Sequence, residues 1–333
     1  MKTARFLLPV CLVSVVAWGQ AAPPTNKTLT TKDTKEHQGN RHPSNQNQVG
    51  EAPIVRDIAF HSAALAREMH YRILIPADYE TSGHRYPVLY LLHGLTGSYI
   101  DWETRTQLDQ YAAGLPLIIA MPDGDDSWYT NSATQPQEKW EDYIVKDFIP
   151  EIDKNYRTIQ TKFGRAIGGL SMGGYGAMKF ALKYPGMFIF AASFSGALSV
   201  TSNEFRPRAG SKAAGQIAAI FGAADSETRT QNDVYTLAGK VTNPDSLPYL
   251  WISCGTEDTT LIKPNQDFAA LLVRQKIRHS YSESPGVHAW NFWDDGIEQV
   301  LPLLMDRYFR APKSNVSATP LGAGPRTPRK GHP

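Results

Sequence analysis

Ser171 stands in the frame Gly169-Leu170-Ser171-Met172-Gly173, a G-x-S-x-G pattern inside the run AIGGLSMGGYG. A serine so placed can serve as a nucleophile on a sharp strand-to-helix turn. Arg165 to Gly169 are short and strand-like, and Tyr175 to Tyr184 read as a helix closed by Pro185. Such a turn forces the serine into a strained backbone conformation, and the glycines beside it let strand and helix approach without side-chain collision. The hydroxyl then stands out of the sheet, facing solvent. In a chain with 26 glycines the frame alone would also suit a plain Gly-rich turn, so the chemistry depends on partners.

A serine nucleophile of this kind needs an acid and then a histidine after it in the chain. Three histidines follow Ser171: His279, His288 and His332. His332 falls in a Pro/Gly/Lys tail, and His279 lies in the alternating stretch Ile277 to Ser284, which reads as a strand. His288 remains, in SPGVHAWNFW, where a loop after the last strand can carry the imidazole back to the serine. The acid belongs in PYLWISCGTED, an apolar strand ending in the adjacent carboxylates Glu257 and Asp258. An oxyanion needs two backbone N–H groups aimed at one point. The strand PVLYLL breaks at His93-Gly94, so the amide of Leu95 joins that of Met172. His93 itself fits a structural hydrogen-bonding role as well as a catalytic one. Trp102, Trp128, Trp290 and Trp293 fall in the loops expected to ring the serine, where their faces suit sugar rings or aryl groups, or simple packing.

These groups must be carried by a large core. The chain has 333 residues, 41% hydrophobic, with a formal net charge of +2 and acids and bases interleaved. No basic stripe or nucleic-acid motif appears. Strands are predicted at Val55 to His61, Glu68 to Ile75, Pro87 to Leu92, Leu117 to Met121, Arg165 to Gly169, Phe188 to Ser193, Pro248 to Cys254 and Arg278 to Ser284. Helices are predicted at Trp140 to Lys154, Met172 to Tyr184, Pro264 to Gln275 and Ile297 to Phe309. Continuous apolar strands alternating with helices imply an α/β fold with a mostly parallel sheet of about eight strands, covered on both faces. The segment Leu198 to Asn243, with a short helix at Ala214 to Phe221, reads as a small cap.

The ends read differently. Residues 1–21 combine a basic start, the apolar run Phe6 to Trp18 and small residues with cleavage sites after Gly19 or Ala21, the pattern of a signal peptide. That predicts a secreted or periplasmic protein without a membrane span. Residues 22–51 and 311–333 are polar linker and tail, flanking a domain at 52–310. Cys11 would leave with the leader, so Cys254 would be the single cysteine of the mature chain, with no internal disulfide.

With these residues in hand, YPVLYLLHGLTGSYIDW, MPDGDDSWYTNS, WEDYIVKDFIPEIDKNYRT, AIGGLSMGGYGAMKFALKYP, CGTEDTTL and GVHAWNFW together resemble the esterase family that includes esterase D, feruloyl and acetyl-xylan esterases, tributyrin esterases and the antigen 85 mycolyltransferases. The resemblance covers roughly residues 53–310. It implies an α/β-hydrolase fold, Ser171 as nucleophile, His288 as base, and Asp258 as the orienting acid, because the aspartate of the family's G-x-x-D loop falls there. SWYTNS and GLSMGGYGA look more like the secreted feruloyl and tributyrin branch. The expected activity is hydrolysis of short-chain acyl, feruloyl or acetyl esters of carbohydrates by a serine esterase. The rival readings are acyl transfer to a sugar hydroxyl, S-formylglutathione thioester hydrolysis, and an inactive carbohydrate-binding module. No metal or organic cofactor is expected, since H-E-x-x-H, C-x-x-C and Walker A patterns do not occur.

Overall fold

A computed structural model describes residues 50–202 and 212–309. The leader, nearly all of the linker and the tail lie outside the described residues. Among the described residues no helix is long and apolar enough to cross a membrane.

The strands are β1 (Ile54–Ser62), β2 (Arg67–Ile75), β3 (Val88–Leu92), β4 (Ile118–Pro122), β5 (Arg165–Leu170), β6 (Phe190–Phe194), β7 (Tyr249–Gly255) and β8 (His279–Ser284). They form one eight-stranded sheet in the order β1-β2-β4-β3-β5-β6-β7-β8. The ladders β1–β2 and β2–β4 are antiparallel and the rest are parallel. The central strands β3, β4 and β6 are buried at every position and apolar throughout except for Ser193 of β6. Because side chains alternate across a strand, β3 sends Val88, Tyr90 and Leu92 into one core and Leu89 and Leu91 into the other.

The helices are α1 (Tyr79–Ser82), α2 (Asp101–Arg105), α3 (Leu108–Ala112), α4 (Trp140–Asp142), α5 (Ile149–Asn155), α6 (Met172–Lys183), α7 (Lys212–Phe221), α8 (Glu227–Gln231), α9 (Val234–Gly239), α10 (Ile262–Arg274) and α11 (Trp290–Leu303). A π-helical turn at Tyr143–Phe148 joins α4 to α5, so the stretch predicted as one helix is helical throughout. The first core is closed by α5, α6 and α10 and the second by α2, α3 and α11. Every α6 residue from Met172 to Leu182 is buried, as a helix in the middle of an α/β domain must be. The cap consists of α7, α8 and α9. It rests against α6 and the loop after β4, through Tyr175 Oη donating to Asn232 O (2.7 Å) and Ala133 N–H donating to Ile220 O (2.8 Å).

One predicted boundary shifts substantially. α11 begins at Trp290 and not at Ile297, because Phe292, Trp293, Ile297, Val300, Leu301 and Leu304 share one face and bury it against the second core. The aromatic run WNFW reads as loop in isolation and is the first turn of a helix in the fold.

Candidate active site

Ser171 sits between β5 and α6 with φ 52° and ψ −114°, a conformation costly for any residue with a Cβ. The neighbours hold it there. Ser171 N–H donates to Phe194 O (3.0 Å), and Ser171 O accepts from Tyr175 N–H and Ala197 N–H (3.0 Å each). The close approach explains one glycine directly: a Cβ on Gly173 would lie 2.5 Å from Leu92 O and 2.6 Å from His93 O. The end of β3 is thus pressed against the first turn of α6.

His288 lies in the loop between β8 and α11. Its Nε2 is 3.0 Å from Ser171 Oγ and its Nδ1 is 2.7 Å from Asp258 Oδ2. With Nδ1–H donating to the carboxylate, Nε2 is left as the acceptor for the serine proton. The imidazole packs edge-on to Trp293 at 4.9 Å between ring centroids, which limits its orientation. Asp258 is 4% exposed. The turn made by Asp258 N–H donating to Gly255 O (3.1 Å) carries it inward. Glu257 remains outside, where its carboxylate accepts from Gly286 N–H. The two acids left open by the sequence therefore part at one turn.

Leu95 borders the same cleft as Ser171 and Met172 follows Ser171 in the chain, and among the described residues the N–H of neither donates to a protein acceptor. Met172 opens α6, so the positive end of the helix adds to its amide. Ser171 opens onto a cleft of about 380 Å³, bordered by Leu95, Asp101, Arg105, His288, Trp290 and Trp293. Asp101 and Arg105 do not stand out in the sequence, because a five-residue helix leaves too short a pattern to recognise. Arg105 lies over the Trp290 ring at 5.6 Å.

The four tryptophans divide. Trp290 and Trp293 border the cleft from the first turn of α11. Trp102 and Trp128, 1% and 5% exposed, do not border it and pack in the two cores on opposite faces of the sheet. Trp102 donates from Nε1 to Leu92 O (2.9 Å), and Trp128 packs edge-on to Tyr175. Aromatic residues in a G/S/D-rich loop look exposed in sequence, and only the fold shows that they turn inward. His93 is likewise buried: its Nε2 accepts from Gly124 N–H and its Nδ1 bonds Gly94 O, both at 2.8 Å. His279, on edge strand β8, bonds Ile277 O (2.8 Å). The Cys254 thiol is fully buried and pushed up to about 12, chiefly by that burial and then by the charge of Asp258.

Beneath the site, Lys179 of α6 is entirely buried and its Nζ donates to Glu141 Oε2 (2.9 Å) and Thr130 Oγ1 (3.1 Å). Burial opposes the Glu141 charge, yet Lys179, Lys183 and the Tyr184 hydroxyl together hold its pKa down at about 2. A carboxyl lowered in the folded state stabilises fully above its unfolded pKa, near 4.3, and loses that contribution as pH falls through the folded value. Glu141→Gln, which strands Lys179, is expected to lower stability by about 3–5 kcal/mol at pH 7. The melting gap between wild type and variant should narrow between pH 4.3 and pH 2; a gap that does not change with pH would contradict the pairing.

The family model described as Putative esterase matches residues 62–304. The chain belongs to this esterase family. An esterase of Mycobacterium tuberculosis is 42% identical over 146 residues, which are 42% of this chain and 32% of that protein. This family member thus aligns with about a third of the length of that relative. The acetyl esterase of Caldicellulosiruptor saccharolyticus is 26% identical over 251 residues, 72% of this chain and 94% of that one. Among solved structures, the fluorophosphonate-binding serine hydrolase F of Staphylococcus aureus superposes with a TM-score of 0.67 at 27% identity, covering 76% of this chain and 98% of the other. The eight-stranded, mostly parallel sheet is that of an α/β-hydrolase, the class of this structural neighbour.

Proposed function

We propose that the protein is an exported serine esterase that hydrolyses carboxylic esters of small acyl groups, including acetyl esters of carbohydrates. The single observation that carries this reading is the Asp258–His288–Ser171 relay, at 2.7 and 3.0 Å, beside two unpaired amides on the wall of an open cleft. Ser171 Oγ attacks the ester carbonyl while His288 Nε2 takes its proton. The amides of Leu95 and Met172 hold the oxyanion, and Asp258 orients and supports the imidazolium. His288 then returns the proton to the departing alcohol, leaving an acyl-serine. Water, deprotonated by the same imidazole, releases the acid and restores Ser171.

Substrate class is supported by the size and lining of the cleft. About 380 Å³ lies near the small end of ligand pockets, roughly 300–1,000 Å³. Its Trp290, Trp293 and Leu95 walls suit a short acyl group or a sugar face, and the acetyl esterase relative points the same way. Export is supported by the leader-like residues 1–21. The test is a panel of p-nitrophenyl acetate, butyrate and laurate with methyl ferulate and acetylated xylan. The acetate and butyrate esters should exceed laurate in kcat/KM by about tenfold or more, a difference of 1.4 kcal/mol in transition-state binding. A preference for laurate, or no turnover of any ester, would overturn the reading.

A further inference from the structure

Tyr129 is fully buried, with φ 50°, and follows Trp128 at φ 55°. Two successive non-glycine residues in the left-handed region are unfavourable and persist only where the surroundings impose them. Here both the ring and the backbone are held. The ring fits between two glycines: a Cβ on Gly124 would fall 2.3 Å from Tyr129 Cε1, and one on Gly176 of α6 would fall 2.8 Å from Cδ2. The Tyr129 carbonyl accepts from Lys179 Nζ on the same helix (2.5 Å), and Tyr129 N–H donates to Ser127 Oγ (3.0 Å). All of this delivers one group, the Tyr129 hydroxyl, which donates to His93 O at 2.9 Å. Burial drives the phenol well above its ordinary pKa, so the hydroxyl keeps its proton and stays a donor.

His93 is the link to the oxyanion site. With Gly124 N–H donating to Nε2, the imidazole carries its proton on Nδ1 and donates it to Gly94 O (2.8 Å). Gly97 N–H donates to the same oxygen (3.1 Å). Gly94 C=O and Leu95 N–H belong to one planar peptide and point in opposite directions. Anchoring the carbonyl therefore fixes the direction of the Leu95 N–H, on a residue that borders the same cleft as Ser171. The other amide, Met172 N–H, begins the helix that holds Tyr129 through Lys179 and Gly176.

We propose that Tyr129 is a positioning residue of the oxyanion site: its hydroxyl, registered on α6, sets His93 and through it the direction of the Leu95 amide relative to that of Met172. The inference rests on the reading that these two amides hold the oxyanion. Losing one oxyanion donor outright costs about 10²–10³ in kcat, and a donor that is present but misaimed should cost less. Tyr129→Phe keeps the ring between its glycines and removes only the hydroxyl. Its kcat on p-nitrophenyl acetate is expected to fall about tenfold with KM within about twofold, the signature of an interaction made in the transition state. Its rate of fluorophosphonate labelling should fall in step, because the phosphonyl oxygen occupies the same site. Tyr143→Phe is the control, since it removes another buried hydroxyl, one without a hydrogen-bond partner among the described residues, and should leave kcat within about twofold. A folded Tyr129→Phe with wild-type kcat, a loss confined to KM, an equal loss in Tyr143→Phe, or a Tyr129→Phe protein that cannot fold would each overturn the proposal. Ser171→Ala in the same series separates the two levels: if it stays active the parent reading fails, whereas if it is inactive while Tyr129→Phe is normal, only the positioning role fails.

Discussion

Ser171→Ala is expected to fold normally and to lose about four to six orders of magnitude in kcat on short-chain p-nitrophenyl esters. The side chain is partly exposed at the turn between β5 and α6 and packs little, while its hydroxyl is the atom within 3.0 Å of His288 Nε2. Alanine meets the same backbone strain at φ 52° as serine does, so the elbow should survive. The hydrogen bonds that hold the turn come from backbone atoms and are untouched. Thermal melting by circular dichroism should place the variant within a few degrees of wild type. A folded variant with near-wild-type turnover would remove Ser171 from the chemistry.

The second large effect concerns the relay behind the serine. His288→Ala should match Ser171→Ala, and the double variant should be no worse, because nucleophile and base act as one unit. Asp258→Asn should lower kcat by about 10⁴ by favouring the wrong imidazole tautomer. Glu257→Gln should be mild, since Glu257 is exposed and its carboxylate accepts from Gly286 N–H and the Thr256 hydroxyl, neither of them a member of the relay. His279→Ala is the matching control on the edge strand. If Glu257→Gln proved severe and Asp258→Asn mild, the acid would move by one position, and an essential His279 would displace His288.

The sequence carried most of the frame and less of the site's interior. Strands such as Val88–Leu92 and Ile118–Pro122 are legible because burial on both faces demands an unbroken apolar run. The elbow is legible because the crowding of Gly173 against Leu92 and His93 leaves a glycine signature beside the serine. Nothing local separates Glu257 from Asp258: adjacent residues of similar chemistry part only when the turn at Gly255 is built. The same applies to Trp102 and Trp128, whose burial depends on partners in other elements, Phe194 for the first and Phe221 for the second. Lys179 reads as a surface charge within GYGAMKFALK and becomes a buried anchor because Glu141, 38 residues away, meets it. Tyr129 lies in the SWYTNS run, but nothing local there announces its role, which depends on two glycines and a carbonyl from three separate segments.

The relay itself is tested most directly by mapping a fluorophosphonate adduct on the intact protein by peptide mass spectrometry. The account predicts one adduct, on Ser171, formed rapidly by wild type, slowed by orders of magnitude in His288→Ala and absent from Ser171→Ala. An adduct on any other residue, or labelling that survives in Ser171→Ala, would contradict it.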